Sequence, residues 1–237
     1  MKFYLFSSDF KLIKELYKFG VDGVLHTYNA YQSSAFINIP KELKKTNIKH
    51  MVAVRPYTIS PQLLSQIGMT FDDMYGKGIL QINLISGWIK ENEKNAGGII
   101  GPVNDNSTRE EKSKYLVEYI DVLENLERKT LDYYVSVTNP HTFAAASKYN
   151  SKMIIDYIHF EQDKYDVVGK RVMVMVGPTN EDGSLVSHED LFDRMNRLKK
   201  SGIKEIIFPG GNQLIVEHTL DFIKKYKNIE SEEPMVE

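Results

Sequence analysis

The chain has 237 residues, the size of one barrel domain, and 42% of them are hydrophobic, enough for a large core. Lys and Arg number 30 against 32 Asp and Glu, so no basic excess points to nucleic acid or an anionic membrane. With no cysteine, a disulfide framework, thiolate metal sites and a cysteine nucleophile are excluded together. Short apolar runs recur in chain order at Phe3–Phe6, Gly23–His26, Met51–Val54, Gly78–Ile85, Tyr133–Val137, Met153–Asp156, Arg171–Val176 and Glu205–Phe208. Their length and their Val, Ile, Tyr and Phe content fit buried parallel strands. Between them lie helical patterns. Leu12, Leu16, Tyr17 and Phe19 share a face before a stop at Gly20, and Ser60-Pro61 opens a helix carrying Leu63, Leu64, Ile67, Phe71 and Met74. Further helices are predicted over Lys112–Leu126, Pro140–Tyr149, His188–Ser201 and Ile215–Tyr226, whereas the sixth crossover, Ile158–Val168, is short and polar.

Strict alternation implies a parallel sheet with right-handed crossovers, and eight runs suit a closed α/β (β/α)8 barrel better than an open sheet. The expected organisation is one barrel domain over residues 1–228 and a disordered acidic tail over 229–237. Gly87–Ser107 follows a strand, is long and carries paired glycines, so it reads as a functional loop on the C-terminal face. No apolar run approaches the roughly 18 residues of a membrane span, and Met1–Phe6 is too short for a signal peptide, so a cytoplasmic protein is expected.

In a barrel, polar residues at strand C-termini meet at one mouth. Those here include His26, Tyr28, Arg55, Tyr57, Asn83, Ser86, Gly87, Ser136, Thr138, Asn139 and His159. Ser136, Thr138 and Asn139 lead into a helix start that suits a phosphate, or Asn139 simply caps that helix ahead of Pro140. Gly210-Gly211-Asn212, after the last strand, is a competing anion site. Two of only six arginines lie on expected strands, Arg55 at the end of the third and Arg171 at the start of the seventh. A guanidinium there could hold a carboxylate or phosphate, or form a structural ion pair. No metal-ligand spacing, nucleophile elbow, dinucleotide fingerprint or P-loop occurs. A barrel without metal, thiol or triad must import its reactivity, and a cofactor is the natural source.

Met51-Val-Ala-Val-Arg-Pro-Tyr-Thr-Ile-Ser-Pro61, continuing through Gln62–Gly76 to Ile79-Leu-Gln-Ile-Asn-Leu-Ile-Ser-Gly87, resembles strands three and four of the bacterial luciferase-like, flavin-dependent monooxygenases. The likeness is nearest to their alkanesulfonate monooxygenase branch, and it is looser over Gly20–Leu25, Arg171–Val176 and Ser201–Phe208. The resemblance implies reduced FMN, or less often deazaflavin F420, at the C-terminal mouth. Ala53, Val54, Arg55, Asn83, Ser86 and Gly87 would face its ring, Ser136, Thr138 and Asn139 would hold the phosphate, and Lys90 would add a cation. Arg171, Tyr57 and Trp88 would then bind substrate, and His26, Tyr28, His159 and Arg55 would serve acid–base or hydrogen-bonding roles.

The implied activity is oxygenation of a small organic substrate by O2 through a C4a-(hydro)peroxyflavin, with FMN reduced by a separate NAD(P)H:FMN reductase. The chain would form a homodimer through helices two and three. Departures exist. The family's common insertion is missing, the reactive cysteine of some relatives is absent, and Arg171-Val172-Met173 stands where sulfonate-cleaving relatives carry Arg-x-His. Methionine cannot transfer a proton, which weakens the case for sulfonate. A non-catalytic FMN-binding protein and an F420- or folate-linked reductase are therefore the alternatives.

Overall fold

The computed structural model describes residues 1–6, 13–28, 35–43, 48–87, 103, 107–126 and 131–232. Eight strands close into one parallel barrel in sequence order: β1 (Lys2–Phe6), β2 (Gly23–Thr27), β3 (Lys49–Val54), β4 (Leu80–Leu84), β5 (Asp132–Val137), β6 (Lys152–Asp156), β7 (Val172–Met175) and β8 (Glu205–Phe208). The last strand pairs with the first, Lys2 opposite Glu205 and Leu5 opposite Phe208, so no edge is left open. The (β/α)8 expectation is met.

Helices cover the barrel as α1 (Ile13–Leu16), α2 (Ala35–Leu43), α3 (Pro61–Tyr75), α4 (Arg109–Glu124), α5 (Pro140–Lys148), α6 (Tyr157–Glu161), α7 (His188–Lys200) and α8 (Gln213–Glu232). Side-chain caps fix several of their starts. Ser60 accepts from the Leu63 N–H, Thr108 and Glu111 form a reciprocal capping box, and Ser187 accepts from the Asp190 N–H. The Thr108 box explains why α4 begins three residues before the apolar pattern does. The sixth crossover contains only the five-residue α6.

The last helix is longer than expected, because α8 runs to Glu232 and does not stop at Asn228, while residues 233–237 of the expected tail lie outside the described residues. The Met1 ammonium meets Glu230 at 3.0 Å, and Lys227 Nζ donates to the Met1 carbonyl at 2.8 Å. Beneath them Phe222 and Tyr226 pack on Phe3. Anchored on both sides, the helix continues past the end of its apolar pattern.

Alternation along the strands divides the core in two. Tyr4, Leu25, Met51, Ala53, Tyr134, Ile154, Met173 and Ile207 form the interior cluster. Val24, Val52, Val54, Val135, Ile155 and Val174 belong to the larger cluster under the helices. Gly23 faces inward because the Tyr4 ring lies 2.4 Å from where a Cβ would stand. The N-terminal end of the barrel is closed by polar pairs: Lys152 meets Asp132 at 2.5 Å, Gln81 donates to Asp132 at 2.9 Å, and Tyr134 donates to Glu205 at 2.8 Å. Such satisfied pairing stabilises that end, and the opposite, C-terminal mouth is the candidate site.

Candidate functional site at the C-terminal mouth

The inward register carries Thr27, Ala53, Asn83, Ser136, Asp156 and Met175 to the upper layer, above a floor of Leu25, Met51, Tyr134, Ile154, Met173 and Ile207. Ser136 Oγ donates to Asn83 Oδ1 at 3.0 Å, which leaves the Asn83 amide nitrogen as a donor. Arg55, next on the inward side after Ala53, is only 6% exposed, and its guanidinium donates to the Tyr28 carbonyl at 3.1 Å. Its stem packs on Gly87, with Cδ 3.6 Å from the place of a Cβ there. Tyr57, in the turn Pro56–Thr58, donates to the Gly87 carbonyl at 2.5 Å. Burial pushes its hydroxyl up to about 12, against the pull of Arg55. Arg55 and Tyr57 thus tie the ends of β2, β3 and β4 into one wall.

Several expected site residues lie elsewhere. His26 and His50 face outward on β2 and β3, fully buried under the helices, with His26 Nε2 and His50 Nδ1 3.0 Å apart. His26 ends an apolar run, but its parity is that of Val24, so it turns away from the mouth. Tyr28 also turns outward and packs on Phe36 of α2 at 5.5 Å, although its carbonyl anchors Arg55. The Val54 side chain belongs to the outer cluster, so only its backbone reaches the mouth edge. Arg171 is exposed just before β7, at the closed end of the barrel and away from the mouth. Tyr57 is 1% exposed with its hydroxyl committed to Gly87, which gives it a supporting place behind the wall. Ser86 buries its hydroxyl without a hydrogen-bond partner among the described residues. Lys90 and Trp88 lie outside the described residues.

The start of α5 is capped by its own side chains. Asn139 Oδ1 accepts from the Thr142 N–H at 3.0 Å, and Thr142 Oγ1 accepts from the N–H groups of Thr138 and Asn139 at 3.0 and 3.2 Å. The Thr138 carbonyl is taken by Arg109, and Asn139 Nδ2 donates to Ser113. The N–H groups of Thr138, Asn139 and Thr142 are thus already used and not free for a phosphate. At the competing turn, Asn212 caps α8 through the Ile215 N–H, and Gly210 is glycine because the Phe6 carbonyl approaches to 2.2 Å from a Cβ position.

His159 stands on α6 near the mouth and receives Lys164 Nζ on its Nε2 at 3.2 Å. Pattern reading passed over Asp156, the last residue of β6. Its side chain is half-buried and makes no capping bond, and burial raises its carboxyl above the ordinary range while His159 pulls the other way. The available signal was parity, since Ile154 faces the interior and Asp156 follows at the same period. Among the described residues no group of three or more His, Asp or Glu could hold a metal, and no helix is long and apolar enough to cross a membrane.

A closed (β/α)8 barrel with polar groups gathered over an apolar floor at its C-terminal mouth is the class that fold and site define. No protein-family model matches the sequence, and no curated protein does. Solved structures match in fold. Apo-MsnO8 superposes with a TM-score of 0.68 at 9% identity, over 96% of this chain and 98% of that one. EDTA monooxygenase (EmoA) from Chelativorans sp. BNC1 gives 0.68 at 8% identity, over 97% and 94%. The coenzyme F420-dependent tetrahydromethanopterin reductase from Methanopyrus kandleri gives 0.60 at 12%, over 95% and 98%. At these identities the likeness is one of fold.

Proposed function

We propose that the protein is a flavin-dependent monooxygenase of the luciferase-like kind, nearest to the alkanesulfonate branch, which uses reduced FMN and O2 on a small organic substrate. The observation that carries this reading is the joining of the Met51–Gly87 resemblance to the mouth geometry. From that segment Ala53 and Asn83 face inward, Asn83 is held by Ser136, and Arg55 is buried against Gly87. A small residue and an apolar floor suit the face of a flat ring, and an amide suits the paired donors and acceptors of a flavin edge. The capped start of α5 offers few free backbone donors to a phosphate, and Lys90 and the Gly210-Gly211 turn are the other candidates for that group.

When bound, reduced FMN would supply the electrons that activate O2, while the chain's own residues would bind and orient it and exclude water. Arg55 fixes the mouth wall, Asn83 and Ser136 would orient the ring, and the floor beneath them is apolar. The electron donor would be a separate NAD(P)H:FMN reductase, and the chain would act as a homodimer. The fold likeness to an F420-dependent reductase favours hydride transfer from F420 as the second reading.

Anaerobic titration with FMN in both redox states, followed by mixing with oxygenated buffer, tests the proposal. Preferential binding of reduced FMN and a long-lived absorbing species after oxygen is added are expected. No FMN binding, with F420 binding in its place, would move the protein to the second reading. Equal binding of both states with immediate oxidation would make it a flavin holder.

A further inference from the structure

Asp156 is not explained by the fold. On the strands, among the described residues, it is the one ionisable side chain that the register turns into the upper layer, beside Met175 and in the ring that holds Asn83 and Ser136. It occupies the residue before α6, where an aspartate ordinarily accepts a hydrogen bond from the helix N–H groups, yet it makes none. Nor does it form, among the described residues, an ion pair that would account for a charge at half-buried depth. One helical turn on, His159 completes the surroundings. Its Nε2 lies 3.2 Å from Lys164 Nζ, and its buried Nδ1 has no hydrogen-bond partner among the described residues.

We propose that Asp156 is a catalytic residue of the mouth that passes a proton between its carboxyl oxygen and a ligand heteroatom, with His159 as the positioning residue behind it. The inference rests on the flavin reading above. In the forward direction the O–H bond of the acid breaks, the ligand atom gains the proton, and the carboxylate left behind regains one from water at the rim. No electrons move in this step. Burial favours the protonated acid, and a positive charge on the His159 ring would favour the carboxylate once the proton has left.

The test is carboxyl NMR on the full chain labelled with 13C at aspartate side chains, titrated with and without anaerobically reduced FMN. Asp156→Asn assigns the resonance and tests function in parallel. The expected result is an Asp156 signal that titrates above the ordinary aspartate range and moves on FMN addition. Wild-type affinity for reduced FMN should change with pH by up to about tenfold per unit, and Asp156→Asn should lose that dependence while still binding. His159→Asn should raise the Asp156 titration further, a shift that a purely structural role for His159 would not produce. If FMN binds but leaves Asp156 unmoved, and Asp156→Asn keeps the wild-type pH profile, the proposal is overturned and the flavin reading stands. If reduced FMN does not bind at any pH, both fall together.

Discussion

His50 is completely buried, stacks on His26 with ring centroids 5.3 Å apart, and has no hydrogen-bond partner for its Nε2 among the described residues. Burial lowers its titration from 6.5 to about 4. The unfolded chain therefore binds a proton that the folded chain refuses, and stability is lost as pH falls from about 6.5 towards 4. Each pH unit costs about 1.4 kcal/mol, so roughly 3 kcal/mol depends on this one ring. His50→Leu should remove that dependence. Urea denaturation at intervals between pH 7 and pH 4 should show the wild-type advantage over the variant shrinking by about that amount, and a constant difference would refute the assignment. The same pair shows where residue-level reading failed. His26 was legible as a strand end, but which way a strand-end side chain points depends on parity, and parity needed the interior cluster of Leu25, Met51 and Ala53 as reference. Asp156 was missed for the same reason.

Elements were more legible than side-chain directions, because their signals are local. Ser60, Thr108, Asn139 and Ser187 each cap a helix through their own chemistry, and strand lengths follow from short apolar runs bounded by turns. The phosphate expectation at α5 arose because an anion-binding helix start and a self-capped one have the same composition. Only the hydrogen bonds separate them, and here Thr142 Oγ1 and Asn139 Oδ1 take the donors. Asn139→Ala should then cost about 1–2 kcal/mol in thermal or urea unfolding, and FMN affinity measured by fluorescence titration should stay within about twofold. A loss of affinity well beyond that would return the phosphate to this helix. The α8 extension was not legible at all, since Glu230 and Lys227 act through Met1, at the far end of the sequence.

At the scale of the whole molecule, closure of the barrel followed from counting strands and crossovers, but the outer surface keeps its own information. On α3, Leu63 is 49% exposed and Met74 64%, and positions 63, 67, 70 and 74 lie along one stripe of a 3.6-residue period. Ile37 on α2 is 68% exposed, and the two helices flank β3 on either side. Single exposed apolar side chains need no explanation, but a stripe continued on the neighbouring helix fits a surface covered by a second copy. This is where the homodimer expectation placed the contact. Sedimentation equilibrium should give twice the chain mass of 27.3 kDa. The double substitution Leu63→Glu and Met74→Glu should return it to the single-chain value, because two carboxylates facing their counterparts across a closed interface would be desolvated without partners. The barrel interior is untouched by these changes, so reduced FMN should still bind the monomer if the mouth is complete within one chain. A wild-type mass of 27.3 kDa would rule out the dimer, and a variant that stays dimeric would move the interface to another face.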